Sequence, residues 1–279
     1  MKRSLSYILS VGALLATAAS VAGIWAVTKA NSMVAQPDDR NLQAPPTITA
    51  QPINADLATT LTAADPLSQP AWRNVHWTKL TGSLHASREA APTWAAIAYD
   101  SARVHVAMLG ATTNVVQGRD TFTIWLDTSA AQNGTEQLEL KLTNDGAVTT
   151  TWHRSANPPM PKDNGTPNFL HPMSSLPGIT INGLTTKITR GQFNGEAAWG
   201  AVVSIPLDQT PAPLRMSPLA PGGSFKLNVI RTHQAPGNVT AQANLSPVWV
   251  GAQVVSPQRM SVLVLGDSSS FASRHGTTE

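Results

Sequence analysis

A chain of 279 residues with 42% hydrophobic and only 13% charged residues must build its polar surface from Thr, Ser, Asn and Gln rather than from ions. The net charge is +3 and no run of Lys or Arg occurs, which argues against a nucleic-acid interface. No cysteine is present, so disulfides, thiolate metal sites, c-type haem attachment and cysteine nucleophiles are all excluded.

Lys2 and Arg3 precede an uncharged run over residues 4–28, which Lys29 closes. As a helix this run would be about 37 Å long, against a bilayer core of about 30 Å. Tyr7 and Trp25 stand near its two ends, where aromatic rings sit at the headgroups. Residues 1–30 therefore read as one transmembrane anchor in a bacterial inner membrane, with the N-terminus in the cytoplasm and the rest periplasmic. A cleaved signal peptide, cut after Ala22, is the alternative; the apolar run continuing through Ile24, Trp25 and Val27 argues against it. Gly12, Ala16 and Ser20 recur every four residues, as do Ala19 and Gly23, and small residues at that spacing let another membrane helix approach closely.

Residues 31–70 are rich in Pro, Ala, Thr and Gln and hold no period, which reads as a semi-extended linker. Residues 71–267 read as the folded domain and residues 268–279 as a tail. Within that domain short alternating runs are bounded by turn signals. Val104, Val106 and Met108 share one face, as do Phe122, Ile124 and Leu126, with Trp125 pointing the other way. Leu138, Leu140 and Leu142 follow, and Asn144-Asp145-Gly146 turns the chain into a strand over 148–152. Trp199, Ala201, Val203 and Ile205 share a face, and Pro206 ends that strand. Further strands fall at 225–229 and 262–265, while residues 157–178 read as a long ordered loop. Period two throughout and no long amphipathic helix predict an all-β fold. The expected architecture is an antiparallel β-sandwich of immunoglobulin-like or jelly-roll-like form, preceded by the one transmembrane helix.

The order of these segments resembles the carbohydrate-binding module family nine and its DOMON-like β-sandwich relatives. The residues that carry the resemblance are WAAIAYD over 94–100, the strand 104–108, DTFTIWLD over 120–127, the segment 138–146, Trp199 leading to Ile205-Pro206, GSFKLNVIR over 223–231, Trp249 and the segment 257–265. The chain departs from the family pattern at Val202, where a glutamate is usual, and over residues 110–114, where acidic residues are usual.

Three functions follow as expectations. The leading one is a non-catalytic accessory or scaffold subunit of a larger membrane complex, an electron-transfer complex among the candidates, engaging it through both the membrane helix and the sandwich. The alternative is a carbohydrate-binding module at the cell surface or in the periplasm. Sugars stack their apolar faces on aromatic rings, and Trp125 and Trp152 are the candidate platforms for a glycan. The third is a redox subunit holding a b-type haem, implied by the resemblance, with Met108, Met160, Met173 and Lys226 as candidate ligands. Calcium is a lesser expectation, at Asp100, Asp120 and Asp127.

No enzyme is expected. The Gly266-Asp267-Ser268 block looks like a hydrolase nucleophile motif, but only 11 residues follow Ser268 and His275 has no aspartate three before it. No metal-ligand spacing joins the histidines. Sequons at Asn133, Asn164, Asn238 and Asn244 read as exposed loops.

Overall fold

A computed structural model describes residues 45–53, 58, 72, 75–82, 90–113, 115, 119–155, 174–193, 195–237, 239–246 and 260–267. Residues 1–43 form one unit and residues 44–279 another, and every described residue belongs to the second. The anchor expectation, with Tyr7, Gly12, Ala16, Ala19, Ser20, Gly23 and Trp25, lies outside the described residues. Among the described residues no helix is long and apolar enough to cross a membrane.

Fourteen strands are described: β1 (Thr47–Pro52), β2 (Trp77–Lys79), β3 (Thr81–Gly82), β4 (Thr93–Tyr99), β5 (Arg103–Ala111), β6 (Asp120–Asp127), β7 (Glu136–Thr143), β8 (Val148–Arg154), β9 (Ser174–Pro177), β10 (Thr185–Phe193), β11 (Glu196–Pro206), β12 (Ser224–Ala235), β13 (Val239–Asn244) and β14 (Ser261–Leu265). Sheet A runs β1-β14-β12-β6-β7-β8-β9, with β13 beside the C-terminal half of β12; sheet B runs β10-β11-β5-β4 and then to β1 and β2. The alternating residues Phe122, Ile124, Leu126, Leu138, Leu140 and Leu142 of sheet A meet Val104, Val106, Met108, Trp199, Ala201 and Val203 of sheet B in one core.

β1 departs from the expected order in two ways. It lies in the stretch read as linker, and it pairs in parallel on both sides. Thr47 to Ala50 run beside β14 in sheet A, and Gln51 and Pro52 run beside Ala98 and Tyr99 of β4 in sheet B. One strand thus belongs to both sheets. The folded unit begins before residue 71, and the sandwich is mixed rather than purely antiparallel. Composition hid this strand because its partners are distant in sequence and its own residues are mostly Thr, Ala and Pro. Trp72 lies beyond it and is fully buried against Val75, Ala96, Ala98, Ala107 and Val202 on the outer face of sheet B. That face is therefore apolar as well, and β4, β5 and β11 are buried along almost their whole length.

The Trp199 and Arg231 elements that carry the family resemblance meet on one carboxylate. Arg231 donates from Nε to Asp120 Oδ1 at 2.9 Å and from Nη2 to Asp120 Oδ2 at 2.6 Å. Trp199 Nε1 donates to the same Oδ2 at 2.8 Å. The guanidinium also bonds Thr93 Oγ1 and the Ala111 carbonyl, so it spans both sheets from the middle of the core. Gly110 makes room for it: a Cβ there would stand 2.5 Å from Arg231 Cζ.

Candidate functional site

The strands β7, β8 and β9 at the edge of sheet A bring a partly exposed tryptophan together with charged side chains. The hairpin between β7 and β8 turns at Asn144-Asp145-Gly146, where Gly146 takes φ +105°, a conformation that favours glycine. Hydrogen bonds from Thr143 and the Ala147 N–H lower the pKa of Asp145 and so hold it as the carboxylate that the turn needs. The turn fixes the register, pairing Glu136 with Arg154, Leu138 with Trp152 and Glu139 with Thr151. β9 then pairs Leu176 with Trp152, Ser175 with His153 and Ser174 with Arg154. Because side chains alternate, these residues divide between the two faces of the sheet.

On the inner face, beyond the closed part of the core, stand Glu136, Arg154, Trp152 and Leu176. Trp152 is half-buried, with one side packed on the core. Its indole N–H donates to Glu136 Oε2 at 2.6 Å. The Arg154 guanidinium lies over the ring, 4.5 Å from its centroid, with Nε 3.7 Å from Glu136 Oε1. Leu176, directly across from Trp152, is 46% exposed. A half-exposed aromatic ring, an exposed aliphatic side chain and two charged groups of fixed position are the ingredients with which a surface takes a ligand that has both apolar faces and polar edges.

Trp125 belongs to the opposite face. It points away from the core, as the alternation requires, but it is only 3% exposed. Ile230 and Met260 cover it, and His153 lies against it with ring centroids 5.0 Å apart. His153 is itself held between Glu139 Oε2 and Ser175 Oγ, each at 2.9 Å. The expectation of Trp125 as an open stacking platform is therefore corrected: outward of the sheet does not mean exposed to solvent, because residues far along the chain close over it. Trp125 and Trp152 are not brought together. Of the two, only Trp152 keeps an accessible surface.

The sequence singled out Trp152 but missed Glu136, Arg154 and Leu176. Two of these were readable. Arg154 is two residues after Trp152 on one strand and so shares its face. Counting equally outward from the 144–146 turn pairs Glu136 with Arg154. Leu176 was not readable, because β9 lies inside the stretch 157–178 taken as a loop.

Other expectations are also corrected by position. Met108 is fully buried in the core, whereas Lys226 stands on the outer face of sheet A, so the two cannot face one haem iron. Met160 and Met173 lie outside the described residues. The three aspartates considered for calcium sit apart, each taken by protein donors. Asp120 serves Arg231 and Trp199, and Asp127 accepts from Ser129 and the Gly134 N–H. Asp100 accepts from the Ala102 and Arg103 N–H groups and from His105. Burial alone would raise the Asp100 pKa, but these bonds together lower it. Among the described residues no three His, Asp or Glu side chains gather as metal ligands.

His105 joins Asp100 to Ser204, with Nε2 3.0 Å from Asp100 Oδ2 and Nδ1 2.8 Å from Ser204 Oγ. The array has the outline of a nucleophile and its base. Ser204 is 1% exposed and His105 fully buried, so it serves as a satisfied polar bridge between β5 and β11. Among the sequons, Asn133 does lie in a loop, bonded to Thr135, whereas Asn244 is a buried residue of β13. Asn164 and Asn238 are outside the described residues.

No protein-family model matches the chain, and no curated protein matches it. Solved structures do. A family 9 carbohydrate-binding module from Caldicellulosiruptor kristjanssonii in complex with cellotriose is similar at TM-score 0.51 and 12% identity, covering 84% of this chain and 98% of the module. The same organism's family 9 module in complex with glucose is similar at TM-score 0.51 and 13% identity, covering 80% of this chain and 97% of the module. A structure from Bacteroides uniformis ATCC 8492 matches at TM-score 0.51 and 12% identity, over 79% of this chain and 99% of that one. At these identities the likeness is one of fold: the described residues adopt a fold like that of family 9 carbohydrate-binding modules.

Proposed function

We propose that this chain is a non-catalytic glycan-binding module that uses the rim of sheet A around Trp152 and Leu176 as its binding surface. The observation that carries the reading is the half-exposed Trp152 ring, held by Glu136 and flanked by Arg154 and Leu176, on a fold whose solved neighbours were captured with cellotriose and glucose. With the core on one side of the ring and Arg154 over it, the exposed indole edge and Leu176 are what take the apolar side of a pyranose, and the fixed carboxylate and guanidinium groups select among its hydroxyls. This likeness favours the glycan reading over that of an accessory subunit of a membrane complex. The N-terminal hydrophobic run would then hold the module on the outer side of the membrane.

The test is a glycan array probed with the full-length protein and with Trp152→Ala. Binding to a defined set of glycans by the parent, lost in the variant at a temperature where circular dichroism shows it folded, supports the reading. An array on which neither protein binds any glycan refutes it.

A further inference from the structure

We infer that the glycan taken at Trp152 carries a carboxylate, as a uronate does, and that Arg154 reads it. This rests on the glycan reading above and adds the charge of the ligand to it.

The inference comes from how Arg154 is held. Its side chain is 48% exposed, and the guanidinium lies over the Trp152 ring and beside Glu136. Glu136 uses Oε2 for the Trp152 N–H and turns Oε1 towards Arg154 Nε, 3.7 Å away. That contact engages the inner edge of the guanidinium. Among the described residues the Nη1 and Nη2 groups have no partner. They form a two-pronged donor set beside an apolar patch made by Trp152 and Leu176.

A planar fork of this kind matches a carboxylate with two parallel N–H···O bonds. A neutral hydroxyl would use only one of them. A neutral sugar that displaced water from the fork and replaced only one of its bonds would cost part of the cation's solvation without return. Glu136 acts here as the positioning residue: its Oε1, 3.7 Å from Nε, attracts that side of Arg154, and its own charge keeps it from binding the ligand's carboxylate. Ser174, paired with Arg154 across β8 and β9, donates its hydroxyl to the Arg154 carbonyl at 3.4 Å and so ties the two strands at this border.

Matched ligand pairs test this. Titration calorimetry on the full-length protein would compare trimers of galacturonate, glucuronate and mannuronate with trimers of galactose, glucose and mannose. Each pair differs in the carboxylate alone. At least one uronate is expected to bind roughly ten- to a hundred-fold more tightly than its neutral partner, the range of one charge-assisted bonded pair. The preference should shrink as salt rises. Arg154→Ala and Arg154→Lys should both lose it, the lysine because a point charge cannot make the paired bonds. Both changes are at an exposed side chain, so folding, checked by melting temperature, should be unaffected.

Equal or tighter binding of the neutral trimers overturns the inference while leaving the glycan reading intact. So does a uronate preference that survives in Arg154→Lys. Failure of every trimer to bind, with no binding on the array either, overturns both.

Discussion

Asp120 and Arg231 form a two-bonded ion pair in the centre of the sandwich, with both side chains fully buried. Removing one partner leaves the other charged, buried and unpaired, which typically costs about 3–5 kcal/mol. Asp120→Ala should therefore lower the urea midpoint by that equivalent, and the indole N–H of Trp199 loses its acceptor in the same step. Asp120→Leu combined with Arg231→Met should be far less damaging than either single change, because it removes both charges. A double variant as unstable as Asp120→Ala alone would contradict this view of the pair.

Gly110 is the space in which that guanidinium sits. Gly110→Ala puts a Cβ 2.5 Å from Arg231 Cζ and the same distance from Nη1. The arginine is bonded on every side and cannot swing away, so overpacking of about 1–3 kcal/mol is expected. Equilibrium denaturation would show it as a shifted midpoint with an unchanged slope.

Two buried histidines make the fold sensitive to acid. Burial lowers the pKa of His105, with Asp100 opposing, and lowers that of His233, with Arg231 adding to the effect. Nε2 of His233 accepts the Ala91 N–H at 3.0 Å, a bond that protonation would abolish. With folded pKa values below the unfolded one, the unfolded chain takes protons first as pH falls. Stability should be full above about pH 6.5 and decline below it. Melting temperatures at pH 7.5 and pH 5 would reveal the loss. His233→Gln, whose amide oxygen can still accept from Ala91, should reduce it.

β1 joins the two sheets, so its removal should differ sharply from removal of what precedes it. A chain starting at residue 44 should unfold cooperatively near the parent's temperature. A chain starting at residue 54 loses the parallel pairings with both β14 and β4 and should fail to give soluble protein. Soluble, cooperatively folding protein from residue 54 onward would show β1 to be dispensable.

Much of sheet A was legible because one of its faces is apolar and the other polar. Phe122, Ile124 and Leu126 announce β6, and Leu138, Leu140 and Leu142 announce β7, by alternation alone. β10 was not legible: it is an edge strand, exposed over most of its length, and Thr185, Thr186, Lys187, Thr189 and Arg190 carry no apolar period. β1 was hidden because parallel pairing leaves no local turn to mark it. In the site, the orientation of Trp125 followed from its strand, but its burial depends on Ile230 and Met260, more than a hundred residues away in sequence. Trp152 and its two charged neighbours lie on one hairpin, and local register is the part of structure that sequence states most directly.

Trp125→Ala separates a structural tryptophan from a binding one. Truncating this buried ring should cost about 3–5 kcal/mol of stability. At temperatures where the variant is folded, glycan affinity should stay within a few-fold of the parent's. Loss of binding by this variant while folded would move the site to the outer face of sheet A.

The most direct measurement is calorimetric titration of one array-selected glycan into the full-length protein and into Trp152→Ala. Loss of the Trp152 contact should weaken binding by about 2 kcal/mol or more, roughly a 30-fold rise in Kd, measured at a temperature where the destabilised variant is still folded. Equal affinity of the two proteins for that glycan would contradict the placement of the site at Trp152.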